Sequence, residues 1–193
     1  MRAGREEAFP ITLDPVAFSR KPKGRDVAGV TRRMQGAGAS LVTAAEFVEH
    51  VRAGKTWCGG IFSPRKDGWG EFQGQRIFAL DFDNGSHEKP LHEGDEGFLH
   101  PWHALSRCDE LGIAPLCLYF SFSSVCTGDD ATNIYRYRLV IDVGEVLEGP
   151  DAKDLIERLL ATFPEADTAC RNANRLWFGS CGEVWGGVTP WAT

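Results

Sequence analysis

Residues 76–84 read RIFALDFDN, an apolar strand from Arg76 to Phe82 that closes on an Asp-Phe-Asp-Asn turn. Residues two apart on a strand point to the same face, about 6.6 Å along the backbone. Asp81 and Asp83 therefore converge on one side while Leu80 and Phe82 face the other. Two ionised carboxylates at the end of a buried strand repel each other and lose hydration unless a cation lies between them. Magnesium or manganese suits that need, because both take oxygen ligands and share substrate phosphates. A plain turn is the alternative, and D-x-D alone does not decide between the two.

Upstream, Thr43 and Glu46 have capping-box spacing, Phe47, Val48 and Val51 mark one helical face, and Gly54 supplies a stop. Trp57 to Phe62 reads as a strand, and Ser63 to Gly74 as a charged loop. Downstream, residues 84–97 read as a loop and Trp102 to Leu111 as a helix. Leu116 to Phe122 and Tyr135 to Val143 read as strands, Asp151 to Phe163 as an amphipathic helix, and Arg175 to Phe178 as a last short strand. This order predicts an α+β domain, a mixed or antiparallel sheet with helices packed on it. Residues 1–40 lack clear periodicity and are expected to be an irregular basic segment, with the folded domain running from 41 to 193. The Gly- and Trp-rich end from Gly182 to Thr193 is consistent with a fragment of a larger protein.

The chain has 193 residues, 42% hydrophobic, enough for a core of its own. No apolar run approaches the roughly 20 residues needed to span a bilayer, and the polar N-terminus does not resemble a signal peptide, so a cytoplasmic location is expected. Six cysteines without a C-x-x-C pair exclude a zinc ribbon and a secreted disulfide framework. His100, His103 and Cys108 are read as an ordinary helix start rather than a metal site. The net charge of −6 is unevenly spread: residues 1–40 hold eight Lys/Arg against four Asp/Glu, giving +4 there and −10 in the remainder. A basic arm touching phosphates and a solvated tail both fit that distribution.

An EF-hand reading of the acidic stretch fails on spacing, while a haloacid-dehalogenase-like phosphatase fits it poorly and stays as the third reading. An EF-hand counted from Asp81 needs Gly at its sixth position and Glu at its twelfth, where this chain has Ser86 and His92. A haloacid-dehalogenase-like phosphatase also begins with D-x-D, but it carries Thr or Val where Gly85 stands.

Three blocks together resemble the archaeo-eukaryotic primase and primase-polymerase superfamily, in the branch found in plasmids, phages and other mobile elements. They are LDFDN, the pair YFSFSS (119–124) and YRYRLVI (135–141), and ADTACRNANRLWFG (166–179), covering roughly residues 43 to 180. The resemblance implies an RRM-like palm with a smaller N-terminal α/β lobe. It implies template-dependent primer synthesis or extension, with Asp81, Asp83 and Asp167 binding Mg2+ or Mn2+, and Ser121, Ser123, Arg136, Arg138 and Arg175 holding the triphosphate. Asp142 is the rival for the third carboxylate. The partners implied are nucleoside triphosphates, a single-stranded DNA template and a replicative helicase. The His that relatives carry near the first Ser of the second block is missing, and Arg136 and Arg138 are its candidate replacements. The alternative is a non-catalytic nucleic-acid-binding module on the same scaffold, with Trp57, Trp69 and Trp177 stacking on bases. On the primase reading Asp81→Ala abolishes primer synthesis and leaves the fold intact.

Overall fold

The computed structural model describes residues 7–86, 88–125, 133–180 and 182–186. In chain order the elements are β1 (Phe9–Ala17), α1 (Arg25–Gly36), β2 (Ser40–Val42), α2 (Ala44–Arg52), β3 (Lys55–Cys58), β4 (Gly60–Phe62) and β5 (Phe72–Phe82). There follow α3 (Pro101–Glu110), β6 (Pro115–Phe120), β7 (Tyr137–Leu147), α4 (Gly149–Thr162), a 3-10 turn (Thr168–Arg171) and β8 (Val184–Gly186). They form an α+β fold with two antiparallel sheets, ordered β2-β1-β3 and β4-β5-β7-β6-β8.

Residues 9–17 and 25–36 form a strand and a helix, which corrects the expectation of an irregular segment there. Pro10 and Pro15 disguise β1, which is buried on both faces: Phe9 and Ile11 on one, Thr12 and Asp14 on the other. Helix α1 has no side-chain cap, and only Val30 and Met34, four apart, are buried among its basic residues. What fixes it is Arg33, whose Nε and Nη2 donate to the fully buried Asp14 carboxylate at 2.6 and 2.8 Å.

The Thr43/Glu46 capping box forms as its spacing predicts, and Phe47, Val48 and Val51 of α2 are buried. The stretch 57–62 is two strands rather than one. β3 pairs with β1 in the smaller sheet and β4 with β5 in the larger. Gly59 makes the change of sheet, and a Cβ there would lie 2.2 Å from the Ile77 carbonyl oxygen. Residues 175–178 make an isolated antiparallel bridge between Trp177 and Trp57 instead of a strand, and β8 lies beyond it.

β5 is buried along most of its length, and its Phe82 stacks on Tyr137 of β7 at 4.7 Å and meets Phe163, just past α4, edge-on at 6.1 Å. Both faces are therefore covered, and the strand's C-terminal end is held where Asp81 and Asp83 emerge. Asn84 fixes that end. It takes a positive φ of 43° and is buried; its Nδ2 donates to the carbonyls of Leu99 and Tyr135, and its Oδ1 accepts from Leu99 N. His100 caps α3 by accepting from Trp102 N, the structural role its position suggests. Cys58, Cys108, Cys117 and Cys170 are free and buried, whereas Cys126, Cys181 and residues 187–193 lie outside the described residues. Among the described residues no helix is long and apolar enough to cross a membrane.

Candidate metal centre

Sheet register sets the site. Asp81 lies directly opposite Arg138 on β7, and Arg138 opposite Tyr119 on β6, so the three side chains share one face. Arg138 Nε donates to Asp81 Oδ1 at 3.0 Å, and its Nη1 reaches the Phe178 carbonyl and the Tyr119 hydroxyl. Trp57 Nε1 donates to the same hydroxyl at 3.0 Å. Asp81, Arg138 and Tyr119 are 5%, 6% and 0% exposed, so this is a buried, fully engaged network. Burial pushes the Tyr119 phenol up to about 12, against the pull of Arg138.

Asp167 arrives from the chain after α4. Its backbone N–H donates to the Asp81 carbonyl at 2.8 Å, which ties the loop to the end of β5. Its Oδ1 accepts from Ala169 N at 2.9 Å and so caps the 3-10 turn. Arg175 then bridges the two carboxylates, with Nη1 on Asp167 Oδ2 at 2.8 Å and Nη2 on Asp81 Oδ2 at 2.6 Å. Its guanidinium lies 4.8 Å from the centre of the Trp177 ring.

One carboxylate oxygen from each of Asp81, Asp83 and Asp167 lies within 4.8 Å of the others. Three oxygen donors at that separation could hold a metal ion of the kind that takes hard oxygen ligands. The acids differ in electrostatics. Desolvation and then the Asp81 charge hold the Asp83 carboxyl above the usual range, opposed by Arg136, Lys21 and Arg138. Burial works upward at Asp167 too, but the Ala169 N–H and Arg175 overcome it, and that carboxyl sits below the usual range.

Beside the acids lies a cleft of about 130 Å³ whose lining includes Lys21, Ser121, Ser123, Arg138 and Arg175 as well as Asp81 and Asp83. Two arginines, a lysine and two hydroxyls thus face the carboxylates across a space that holds a few atoms of an anionic group. Arg136 is not part of that lining. It is buried, with Nη2 on the Gly85 carbonyl at 3.2 Å and Nε without a hydrogen-bond partner. Asp142 stands apart from the acidic cluster, held by Arg76 at 2.7 and 3.0 Å. Lys21, Phe122, Leu176 and Phe178 also line the cleft; none has a role assigned from sequence, although Phe122, Leu176 and Phe178 lie in the quoted blocks and Lys21 in the basic N-terminal run. Trp57 and Trp177 are core residues stacked at 5.7 Å, and Trp69 packs on Phe62, so Trp57 and Trp177 are not available to bases.

No family model, no curated protein and no solved structure matches the chain, so the site is read from its own geometry.

Proposed function

We propose that this chain is a metal-dependent nucleotidyltransferase of the primase or primase-polymerase type, acting on nucleoside triphosphates over a nucleic-acid template. The observation that carries the reading is the meeting of three carboxylates, distant in sequence, within 4.8 Å of one another and beside a cleft lined by cations and hydroxyls. On this reading the five-stranded sheet is an RRM-like palm and the three-stranded sheet with its helices is the smaller lobe. Magnesium or manganese, when bound, would lower the pKa of the attacking 3′-hydroxyl and neutralise the departing pyrophosphate.

The chain's own side chains divide the remaining work. Asp81, Asp83 and Asp167 present hard oxygens. Ser121 and Ser123 offer hydroxyls to phosphate oxygens, while Lys21 and Arg175 supply positive charge where the triphosphate gathers negative charge. Arg138 acts chiefly on Asp81, orienting the carboxylate from within the sheet.

The test is calorimetric titration with a nucleoside triphosphate and Mn2+, followed by template-dependent extension with labelled nucleotides. Asp83→Asn is the informative variant because Asp83 is exposed and none of the hydrogen bonds just described engages its carboxylate. Loss of extension in a folded Asp83→Asn supports the assignment, and retained extension removes it.

A second reading, a non-catalytic nucleic-acid-binding module, is favoured by one observation: both Asp81 oxygens are already engaged by arginines. Binding of nucleic acid without any metal-dependent nucleotide binding decides for the module.

A further inference from the structure

The charge asymmetry seen in the sequence becomes a surface feature in the fold. Gly24, just before α1, and one face of the helix, formed by Val27, Ala28, Thr31, Arg32 and Gln35, look onto the loop residues Lys66, Asp67 and Gly68. Between them runs an open groove of about 710 Å³. Arg32 and Lys66 line it from opposite sides and are exposed, and Lys23, Arg25 and Arg65, also exposed, are chain neighbours of its lining residues. None of these five makes an ion pair among the described residues, and the acids closest in sequence are Asp26 and Asp67.

The groove is a firm platform. Arg33 ties α1 to buried Asp14, and Arg65 N donates to the Gln35 carbonyl at 3.1 Å, fixing the loop to the end of the helix. It also begins a short stretch of chain from the acidic site. Lys21 lines the metal-site cleft and Gly24 lines the groove, three residues apart, at most about 11 Å of chain. Beneath them Val30 and Met34 of α1 share a small core with Phe18 and Leu176, and Leu176 is itself a wall of the cleft.

We infer that this groove binds the sugar-phosphate backbone of a single-stranded nucleic acid and leads it past Lys21 to the carboxylates. The inference rests on the proposed activity in one respect: a strand whose bases are to be read must reach the site unpaired. The electrostatic argument is independent of it. In a chain of net charge −6 the groove is lined by two cations without ion pairs among the described residues, Arg32 and Lys66, against one acid, Asp67, and the phosphodiesters of a strand are a partner that can meet both cations at once. Because a single strand releases about 0.7 counterion per phosphate neutralised, each contact multiplies affinity about fivefold at 0.1 M salt.

The experiment is fluorescence anisotropy of a labelled thymidine oligomer of about 20 nucleotides, long enough for one site of the size single-strand binders use. It compares the full chain, Arg32→Ala/Lys66→Ala in the groove, and Lys153→Ala/Arg158→Ala on α4 as a control of equal charge change. The groove variant should bind about 25-fold more weakly at 0.1 M salt, its slope of log affinity against log salt should be shallower by about 1.4, and the control should match the parent. Equal losses in both variants, no loss in either, or no binding by the parent overturns the inference. So does tighter binding of the duplex of the same sequence, or binding to anionic phospholipid vesicles with the same dependence on Arg32 and Lys66. Mn2+-nucleotide titration of the same samples separates the two ideas: its absence in the parent counts against the proposed activity, while the groove result stands or falls on the oligomer alone.

Discussion

Asp81→Ala should unfold more of this protein's stability than any effect on catalysis would suggest. Asp81 is 5% exposed and is the common partner of Arg138, 6% exposed, and of Arg175. Removing its carboxylate leaves the Arg138 guanidinium in the sheet with only the Phe178 carbonyl and the Tyr119 hydroxyl for company. Breaking one partner of a buried pair costs about 3–5 kcal/mol, because the surviving charge stays desolvated. With a urea dependence of about 2–3 kcal/mol per molar for a domain of this size, the unfolding midpoint should fall by about 1–2 M.

The assay is urea unfolding followed by tryptophan fluorescence, and Trp57 and Trp177 lie against this network. Two comparisons sharpen it. Asp83→Ala, at an exposed acid, should change stability by less than about 0.5 kcal/mol. Asp81→Leu/Arg138→Met, which removes both charges, should recover at least about 1.5 kcal/mol relative to Asp81→Ala. Equal midpoints for Asp81→Ala and Asp83→Ala would refute the reasoning. The expectation that Asp81→Ala leaves the fold intact is set aside on this ground, and loss of activity in that variant says little about metal binding.

Other outcomes follow from the same geometry. Arg175→Ala should tighten Mn2+ binding by about tenfold, since it frees one oxygen each of Asp81 and Asp167 from a charged hydrogen bond of about 1.5–3 kcal/mol, while weakening nucleoside triphosphate binding; opposite signs in one calorimetric series are the readout. Mn2+ affinity should rise with pH through a window above the ordinary aspartate range, because Asp83 is held protonated longer than usual and must ionise to serve as a ligand; Asp83→Asn should remove that dependence. For the metal-free protein the sign reverses: the folded state holds the Asp83 proton more tightly than the unfolded state does, so this residue's contribution to stability falls as pH rises through the same window, measurable by thermal unfolding across pH. Gly59→Ala should destabilise by more than about 2 kcal/mol in urea, because its Cβ would meet the Ile77 carbonyl and push the two sheets apart.

What could be read from sequence and what could not divides along physical lines. The capping box at Thr43, the apolar run before Asp81 and the spacing of Leu155, Leu159 and Leu160 are local signals, and their elements formed where local chemistry places them. β1 and α1 depend on partners far along the chain. Asp14 is an unpromising strand residue until Arg33 is known to reach it, and Val30 and Met34 are too few to show a helix until Leu176 and Trp69 cover them. The division of residues 57–62 between two sheets turns on a contact between Gly59 and a strand eighteen residues away. At the site, Asp81 and Asp83 were legible from strand alternation alone. The block that carries Arg175 after it favours Asp167 over Asp142, and the structure brings Asp167 to the pair while Asp142 is held by Arg76; what no spacing rule contains is the hydrogen bond from the Asp167 backbone to the Asp81 carbonyl.

The arginines around the acids bear on both readings of the site. Three carboxylates this close in a partly buried setting need compensating charge, and Arg138 and Arg175 supply it without any ion. The two are not equivalent. Arg138 is enclosed by the sheet and bound to the Phe178 carbonyl as well as to Asp81, so it stays whatever else binds. Arg175 is more exposed, lies on an irregular segment, and rests on the flat face of Trp177, a surface along which a guanidinium can slide without losing its cation–π contact. A divalent ion entering between Asp81 and Asp167 would take over the charge that Arg175 now compensates, freeing that guanidinium to face the cleft, where a polyphosphate would give it new partners. On the proposed reading a metal and a triphosphate would relieve this pairing together, and each should bind more tightly in the presence of the other. Independent binding of Mn2+ and nucleotide, with unchanged affinities in either order of addition, would show that Arg175 is a fixed strut and would move the balance toward the non-catalytic module.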